Sequence, residues 1–238
     1  KRDGAAFVGE FRQQGFLADA LFNYLSLLGW SPGDDLEVMD RATMVKLFTL
    51  DRVKSSAAQM DLKKLIWMNG EYIRALSRAD FSDRFVETLA TVGIEARAYG
   101  DSYLDGVLSM MQDRTKLWSD IPNDSGFFFS EDFGFDLKAV RKRLQKEGIA
   151  ELLRDVVSVL SELADFSEPS VENTVREHAE KNDIPIANLV HALRLGSSGL
   201  GHGPGLFEML ALMGRERVCA RLERALACMT ANVFPEIK

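Results

Sequence analysis

Cysteine and histidine are scarce in this chain of 238 residues, two of the first and three of the second. Cys219 and Cys228 stand nine positions apart in one stretch of helical periodicity. That spacing is about 13 Å of rise along a helix, too far for a disulfide without bending the backbone. They read as reduced thiols, as in a cytoplasmic protein. There is no Cys-x-x-Cys, and His178, His191 and His202 fall in three separate segments, so the pattern offers no metal site. Nor does it assemble a nucleophile with a base. No apolar run approaches the roughly 18–20 residues of a membrane span, and the start carries no signal-peptide pattern. The β-branched alternation that a sheet needs is short or absent.

Positive charge in excess is also missing. The net charge is −7, from 29 Lys+Arg against 36 Asp+Glu, which disfavours a protein that coats nucleic acid. Residues 1–78 hold 11 basic and 10 acidic residues, which leaves 18 against 26 for the rest. RNA binding would therefore depend on local basic faces rather than on a global field.

What the sequence has is helical periodicity. Apolar residues recur at spacings of three and four in 17–28, 60–78, 82–93, 101–112, 149–164, 171–179 and 205–229. Ser82-Asp83 and Ser170 read as N-caps, Gly93, Gly148 and Gly214 as C-terminal stops, and Pro32, Pro122 and Pro169 as breaks between elements. The expectation is an all-α chain of roughly ten to twelve helices. Two seams divide it, one where residues 77–82 turn polar and one in the irregular stretch 119–135. The domains expected are thus 1–78, a multi-helix domain, and 79–238, a helical cage with a possible subdivision near 136. Phe127-Phe128-Phe129 reads as a core plug between helical layers.

Four blocks of residues stand in an order that resembles the bacterial glutamyl-tRNA synthetases of class I. Lys1-Arg2-Asp3-Gly4-Ala5 followed by Gly15-Phe16-Leu17-Ala18-Asp19-Ala20-Leu21-Phe22-Asn23-Tyr24-Leu25 is similar to the family's second signature loop, Lys-x-Ser-Lys-Arg, and the helix after it. Asp61-Leu62-Lys63-Lys64-Leu65-Ile66-Trp67-Met68-Asn69-Gly70-Glu71-Tyr72-Ile73-Arg74 looks like the family's stem-contact helix. Phe128-Phe129-Ser130-Glu131-Asp132-Phe133, and later Leu193-Arg194 with Pro204-Gly205-Leu206-Phe207-Glu208-Met209-Leu210, resemble blocks of its anticodon-binding part. No His-x-Gly-His signature and no Rossmann strands accompany them.

The resemblance implies a stem-contact domain at 1–78 and an anticodon-binding domain at 79–238. The parent enzyme would attach glutamate to tRNA(Glu) with ATP and magnesium. This chain, without the catalytic fold, would bind tRNA without charging it, as a cytoplasmic monomer with no DNA and no membrane as partners. Lys1 and Arg2 would close the ATP-handling loop, although a terminal lysine left by itself frays. Arg114 falls where family members read the third anticodon base, C in glutamate tRNAs and G in glutamine tRNAs. Its plain alternative is a surface arginine paired with Asp113 or Asp120. Arg194, Ser198, Gly203 and Leu206 fall in the region that approaches the anticodon loop, before a helix expected to start at Pro204. The glycine-rich run 199–205 has no strand ahead of it, so a phosphate-loop reading is weak.

Two basic faces complete the candidates. Lys138, Arg141, Lys142, Arg143 and Lys146, expected on one helix, are possible tRNA-backbone contacts. Arg215, Arg217, Arg221 and Arg224, interleaved with Glu216 and Glu223, read by default as ordinary solvated helix surface. Lys54-Ser55-Ser56 echoes the signature loop only superficially. Two rival readings remain: an acidic helical protein-interaction module, and the same part of a relaxed enzyme that charges both glutamate and glutamine tRNAs.

Overall fold

The computed structural model describes residues 7–33, 35–53 and 59–237. Lys1, Arg2 and the Lys54-Ser55-Ser56 turn lie outside the described residues. The all-α expectation holds: thirteen α-helices and no named strand occur among the described residues. The chain forms two compact units, one from Lys1–Gly93 and Met111–Pro122, the other from Ile94–Met110 and Asn123–Lys238.

The first unit contains α1 (Val8–Gln13), α2 (Ala18–Gly29), α3 (Arg41–Leu47), α4 (Leu62–Arg74) and α5 (Arg78–Ala90). Phe11, Phe16, Leu21, Tyr24, Leu65 and Met68 form its core, where α2 packs on α4. Short polar side chains set the helix starts. Asp61 Oδ1 accepts from the amides of Lys63 and Lys64 at 2.9 and 3.1 Å, and Asp40 Oδ1 accepts from Thr43 at 2.6 Å.

The start of α5 corrects the sequence reading. Ser77 is the N-cap, its hydroxyl accepting from the Asp80 amide at 3.1 Å, and Ser82-Asp83 lie inside the helix. The buried face begins earlier than the alternation at 82 suggests, because Phe81 and Phe85 are both buried one turn apart. Phe81 stacks near Trp118, with ring centroids 5.6 Å apart. Gly15 belongs to the same junction. At φ +87° a Cβ there would lie 2.6 Å from the Ser119 amide nitrogen, so the motif glycine is required by a close backbone approach.

The second unit is built on α6 (Asp101–Met111), α7 (Ile121–Ser125), α8 (Leu137–Arg143), α9 (Ile149–Glu162), α10 (Glu168–Lys181), α11 (Ile186–Ser198), α12 (Leu206–Met213) and α13 (Arg215–Ala231). The first and second of these end and begin at the unit boundaries. α13 packs on α9 and α11, and α11 also meets α8, α10 and α12. Three expected breaks fall elsewhere. Gly148, at φ +78°, opens α9 rather than closing α8, which ends at Arg143. Pro122 and Pro169 sit in the first turns of α7 and α10, where a missing N–H leaves no helical bond unmade. Ser170 accordingly lies inside α10, one turn past the Ser167 cap position, and both hydroxyls donate to Asp165 Oδ2 at 2.6 and 2.7 Å.

The arginines of α13 overturn the solvated reading. Residues 217, 221 and 224 share one helix face, and that face closes over the segment 127–135. Arg221 is 2% exposed. It makes a bidentate pair with Glu131, Nε to Oε2 at 2.8 Å and Nη2 to Oε1 at 2.9 Å. It also donates to the carbonyls of Phe127, Ser130 and Ser197 at 2.7, 2.9 and 2.9 Å. Arg217 donates to the Phe128 carbonyl at 2.7 Å and to the Tyr103 hydroxyl at 2.8 Å, and Arg224 to the carbonyl of Glu131 at 2.9 Å. Both Arg221 and Arg224 lie over the Phe133 ring, 4.7 and 4.4 Å from its centroid. Arg215 donates to Leu163 O at 2.8 Å. Phe127, Phe128 and Phe129 are buried beneath, as the core-plug reading expected.

Because the Glu131 carboxylate is 61% exposed, its attraction to Arg221 is screened, and the bonds to buried carbonyls carry most of the clasp. Burial pushes the Glu131 carboxyl up, but the bonds and charges of Arg221 and Arg217 outweigh it and hold the group below its ordinary value. Its contribution to stability is therefore complete above the ordinary carboxylate range and is lost as pH falls through the lowered value. We expect Arg221→Lys, which keeps charge but not the planar fork, to cost about 2–4 kcal/mol in urea unfolding. Glu131→Gln should cost about 1 kcal/mol or less at neutral pH and remove part of the acid sensitivity. Wild-type stability in Arg221→Lys would refute the clasp.

Candidate nucleic-acid interface

The loop that carries Arg114 follows α6 and is anchored from α4. Asn69, fully buried, donates from Nδ2 to the Lys116 carbonyl at 2.5 Å and accepts the Leu17 amide on Oδ1 at 2.8 Å. Gln112 donates to the Leu76 carbonyl at 3.0 Å, and Arg74 to the Asp113 carbonyl at 3.4 Å. The Thr115 hydroxyl is buried and donates to Met111 O at 2.9 Å. The backbone on both sides of Arg114 is thus fixed, while its own side chain is exposed. The guanidinium makes no hydrogen bond or ion pair among the described residues; Asp113 instead faces Arg74, Oδ1 to Nε at 3.6 Å. The paired-surface-arginine alternative finds no pair here.

Other motif residues of this unit turn out to be pins. Tyr72 donates to Asn23 Oδ1 at 2.9 Å, Asn23 Oδ1 also accepts the Met39 amide at 2.9 Å, and the Asp61 amide donates to the Tyr24 hydroxyl at 2.6 Å. Burial holds the Tyr72 phenol above its ordinary value, helped by the nearby Asp19 charge.

In the second unit, Arg194, Ser198 and Gly203 come together at the end of α11. The Ser198 hydroxyl donates to the Arg194 carbonyl at 2.8 Å and accepts the Leu200 amide at 3.2 Å, so it finishes the helix from within and is buried. Arg194 Nη1 lies 3.1 Å from where a Cβ of Gly203 would stand, and at φ +146° that position suits only glycine. The glycine loop is sewn to the start of α8: the Asp136 amide donates to Gly199 O at 2.8 Å, and Gly201 sits against Ala139. Next, α12 begins at Leu206, with Gly205 rather than Pro204 at its edge, and Leu206 is buried. Its side chain packs inward, which leaves Arg194 as the polar member of the group.

The basic candidates divide. Lys138, Arg141, Lys142 and Arg143 lie on α8, whereas Lys146 lies beyond it in the turn before α9, because the helix stops at Arg143. Val140 and Leu144 are buried, and the lysines around them are exposed. Gln145 donates to Asn232 Oδ1 at 2.8 Å, next to α13. Lys142, Arg143 and Lys146 act instead on His191 of α11, together with Arg194; all four, after burial, hold its imidazole below the ordinary histidine value. Sequence reasoning passed over His191 as one of three scattered histidines. Its spacing of three from Arg194 on a helix was the available signal.

Among the described residues no cluster of His, Cys, Asp or Glu could hold a metal, and no helix is long and apolar enough to cross a membrane. His202 is held by Asp124, Nε2 to Oδ1 at 3.2 Å.

The family description "Anticodon binding domain" matches residues 80–226, well over half of the chain. The chain belongs to the anticodon-binding domain family. Ahead of that match, residues 1–67 fit "tRNA synthetases class I (E and Q), catalytic domain". Glutamate–tRNA ligase 1 of Caldanaerobacter subterraneus is 34% identical over 98% of this chain, and Glutamate–tRNA ligase of Desulforudis audaxviator is 36% identical over 98%. The chain spans 48% of the length of each. A crystal structure of a glutamate tRNA ligase from Elizabethkingia meningosepticum superposes with a TM-score of 0.77 at 27% identity, over 92% of this chain and 43% of that one.

Of the anchors of the Arg114 loop, Asn69 supplies the buried side-chain amide. Asn69→Ala strands the Leu17 amide and the Lys116 carbonyl. We expect a loss of about 1–3 kcal/mol and faster amide exchange across 112–117; unchanged exchange there would contradict the anchoring.

Proposed function

We propose that this chain is the tRNA-recognition part of a glutamate–tRNA ligase, the enzyme that attaches glutamate to tRNA(Glu) with ATP. The observation that carries the reading is Arg114, an exposed guanidinium with no hydrogen bond or ion pair among the described residues, on an anchored loop within a chain of the anticodon-binding family. Residues 1–78 serve as the stem-contact domain and 79–238 as the anticodon-binding domain. ATP and magnesium enter through the complete ligase, with Lys1 and Arg2 at its phosphate-handling loop. The chain by itself binds tRNA and does not charge it. It works as a cytoplasmic monomer.

The chemistry of selection follows from donors and acceptors. A guanidinium has donors only. A cytosine splayed from the anticodon loop offers O2 and N3 as acceptors to such a fork. A guanine at the same place turns N1–H and N2–H toward it, leaving donors opposed to donors. Arg114 therefore favours C over G, the behaviour of a discriminating enzyme. Arg194, with Ser198 and Gly203 at the end of α11 and the buried Leu206 after them, contributes to contact with the anticodon loop. Lys138, Arg141, Lys142, Arg143 and Lys146 neutralise phosphates without reading sequence.

The test is binding of wild type and Arg114→Gln to glutamate tRNA transcripts with C or G as third anticodon base. Wild type should prefer C by about 1–3 kcal/mol and Arg114→Gln should lose most of that preference. Equal binding of both transcripts by wild type, or an intact preference in the variant, would refute the assignment. Raising salt should weaken all complexes, and Lys142→Gln should reduce the slope of log K against log salt by about 1 without changing the C preference.

A further inference from the structure

Two neighbouring residues of α4 serve one residue of the Arg114 loop. Asn69 donates from Nδ2 to the Lys116 carbonyl at 2.5 Å. Gly70, the next residue, is buried against the Lys116 side chain: a Cβ there would stand 3.2 Å from Lys116 Cγ and 3.7 Å from its Cα. Gly70 lies inside the helix Leu62–Arg74, where glycine is a poorer helix former than alanine. Its backbone is not in the left-handed region, so the close approach of Lys116 is what the missing side chain accommodates.

The lysine held in this way ends in solvent. Arg114 and Lys116 are exposed on either side of the buried Thr115, an alternation that puts both cations on the outward side of the loop. The carboxylates nearest in sequence on the two elements are engaged elsewhere. Arg74 binds the two oxygens of Glu71 at 2.9 and 2.8 Å and faces Asp113 at 3.6 Å. Lys116 makes no ion pair among the described residues.

We infer that Lys116 is a tRNA-contact residue that takes a phosphate of the anticodon loop beside the base tested by Arg114, and that Gly70 is the positioning residue that seats it. The inference rests on the tRNA-recognition reading above and deepens it. An ammonium is a point charge on a flexible stem, suited to a phosphate rather than to a base edge. A free lysine loses rotamer freedom when it binds. Here the pinned carbonyl and the seat on Gly70 remove part of that freedom before RNA arrives, which lowers the cost of binding. A phosphate contact has no preference between C and G. Lys116 therefore contributes to affinity and salt dependence, and Arg114 to selection. The competing role is packing alone, in which the lysine stem merely covers Gly70.

The experiment measures dissociation constants of the full chain for unmodified glutamate tRNA transcripts with C or G as third anticodon base, across a salt series, with urea unfolding alongside. Lys116→Met keeps the stem and removes the charge. It should bind both transcripts about fivefold more weakly at about 0.1 M salt and reduce the slope of log K against log salt by about 0.7, the loss of one single-strand phosphate contact. Stability and the C preference should stay as in wild type, and Lys116→Arg should restore the affinity. Gly70→Ala should weaken binding by a smaller factor, and that loss should vanish in the Lys116→Ala background, where no Cγ meets the added methyl. Unchanged affinity and slope in Lys116→Met, with the wild-type C preference intact, overturn the phosphate contact and leave tRNA recognition standing. So does a lost C preference in Lys116→Met, or weaker binding that comes with lost stability and that Lys116→Arg does not rescue. A Gly70→Ala effect that persists in the Lys116→Ala background overturns the seat. No tRNA binding by wild type at any salt overturns both the contact and the recognition reading.

Discussion

The second unit is held around one side chain. Arg221 is an arginine in the position of a core residue, tied to five oxygen acceptors in two pieces of chain: the segment 127–131, with the Glu131 carboxylate, and the end of α11. Segment 127–135 has little regular structure, so its carbonyls lack helical partners and need donors from elsewhere. A planar guanidinium supplies them in a fixed fork, which is why the triple phenylalanine can be buried without leaving orphaned backbone around it. Arg217 and Arg224 extend the same arrangement along α13, Arg217 lying over the Tyr99 ring and Arg224 over the Phe133 ring. The end of α11 that Arg221 grips is also the end where Arg194, Ser198 and Gly203 meet. Stability and the candidate interface thus share one anchor.

A division of labour among the cations follows. Those of α13 have their donors directed into protein and are structural. Lys138, Arg141 and Lys142 of α8, and Arg114 on its pinned loop, are exposed and make no ion pair among the described residues. Composition treats both sets alike. Only the presence or absence of an acceptor within the fold separates a cation that holds the protein together from one available to an RNA phosphate or base.

That distinction also sets what was legible in the sequence. Helix identity came through well because burial repeats every three to four residues, as in Leu65, Met68, Asn69 and Ile73 of α4. The order of the motif blocks was likewise plain, and the structure gives many of those residues a packing reason: Gly15 for a close backbone approach, Asn23, Tyr24 and Asn69 as buried pins and Tyr72 as a half-buried one. Boundaries were less legible. A serine before an apolar run marks a start only if the run begins there, and Phe81 moved the start of α5 back a turn. Pro122 and Pro169 were read as breaks, although a proline in a first turn breaks nothing. The role of Arg221 was hidden because its acceptors lie 24 to 94 residues away in sequence, and helical charge alternation looks the same over a solvated face as over a clasp. His191 was hidden for the same reason: Lys142, Arg143 and Lys146, which act on it, belong to α8 and the turn after it.

The most direct test of this account is hydrogen–deuterium exchange of the full chain with and without a glutamate tRNA transcript. The account predicts slower exchange on binding in three places: 112–117 around Arg114, 138–147 at the end of α8, and 187–203 on α11 and its glycine loop. The clasp at 127–135 and 217–224 should already be slow in the free chain and change little. Protection confined to the clasp, or to the apolar surface of the first unit, would contradict it.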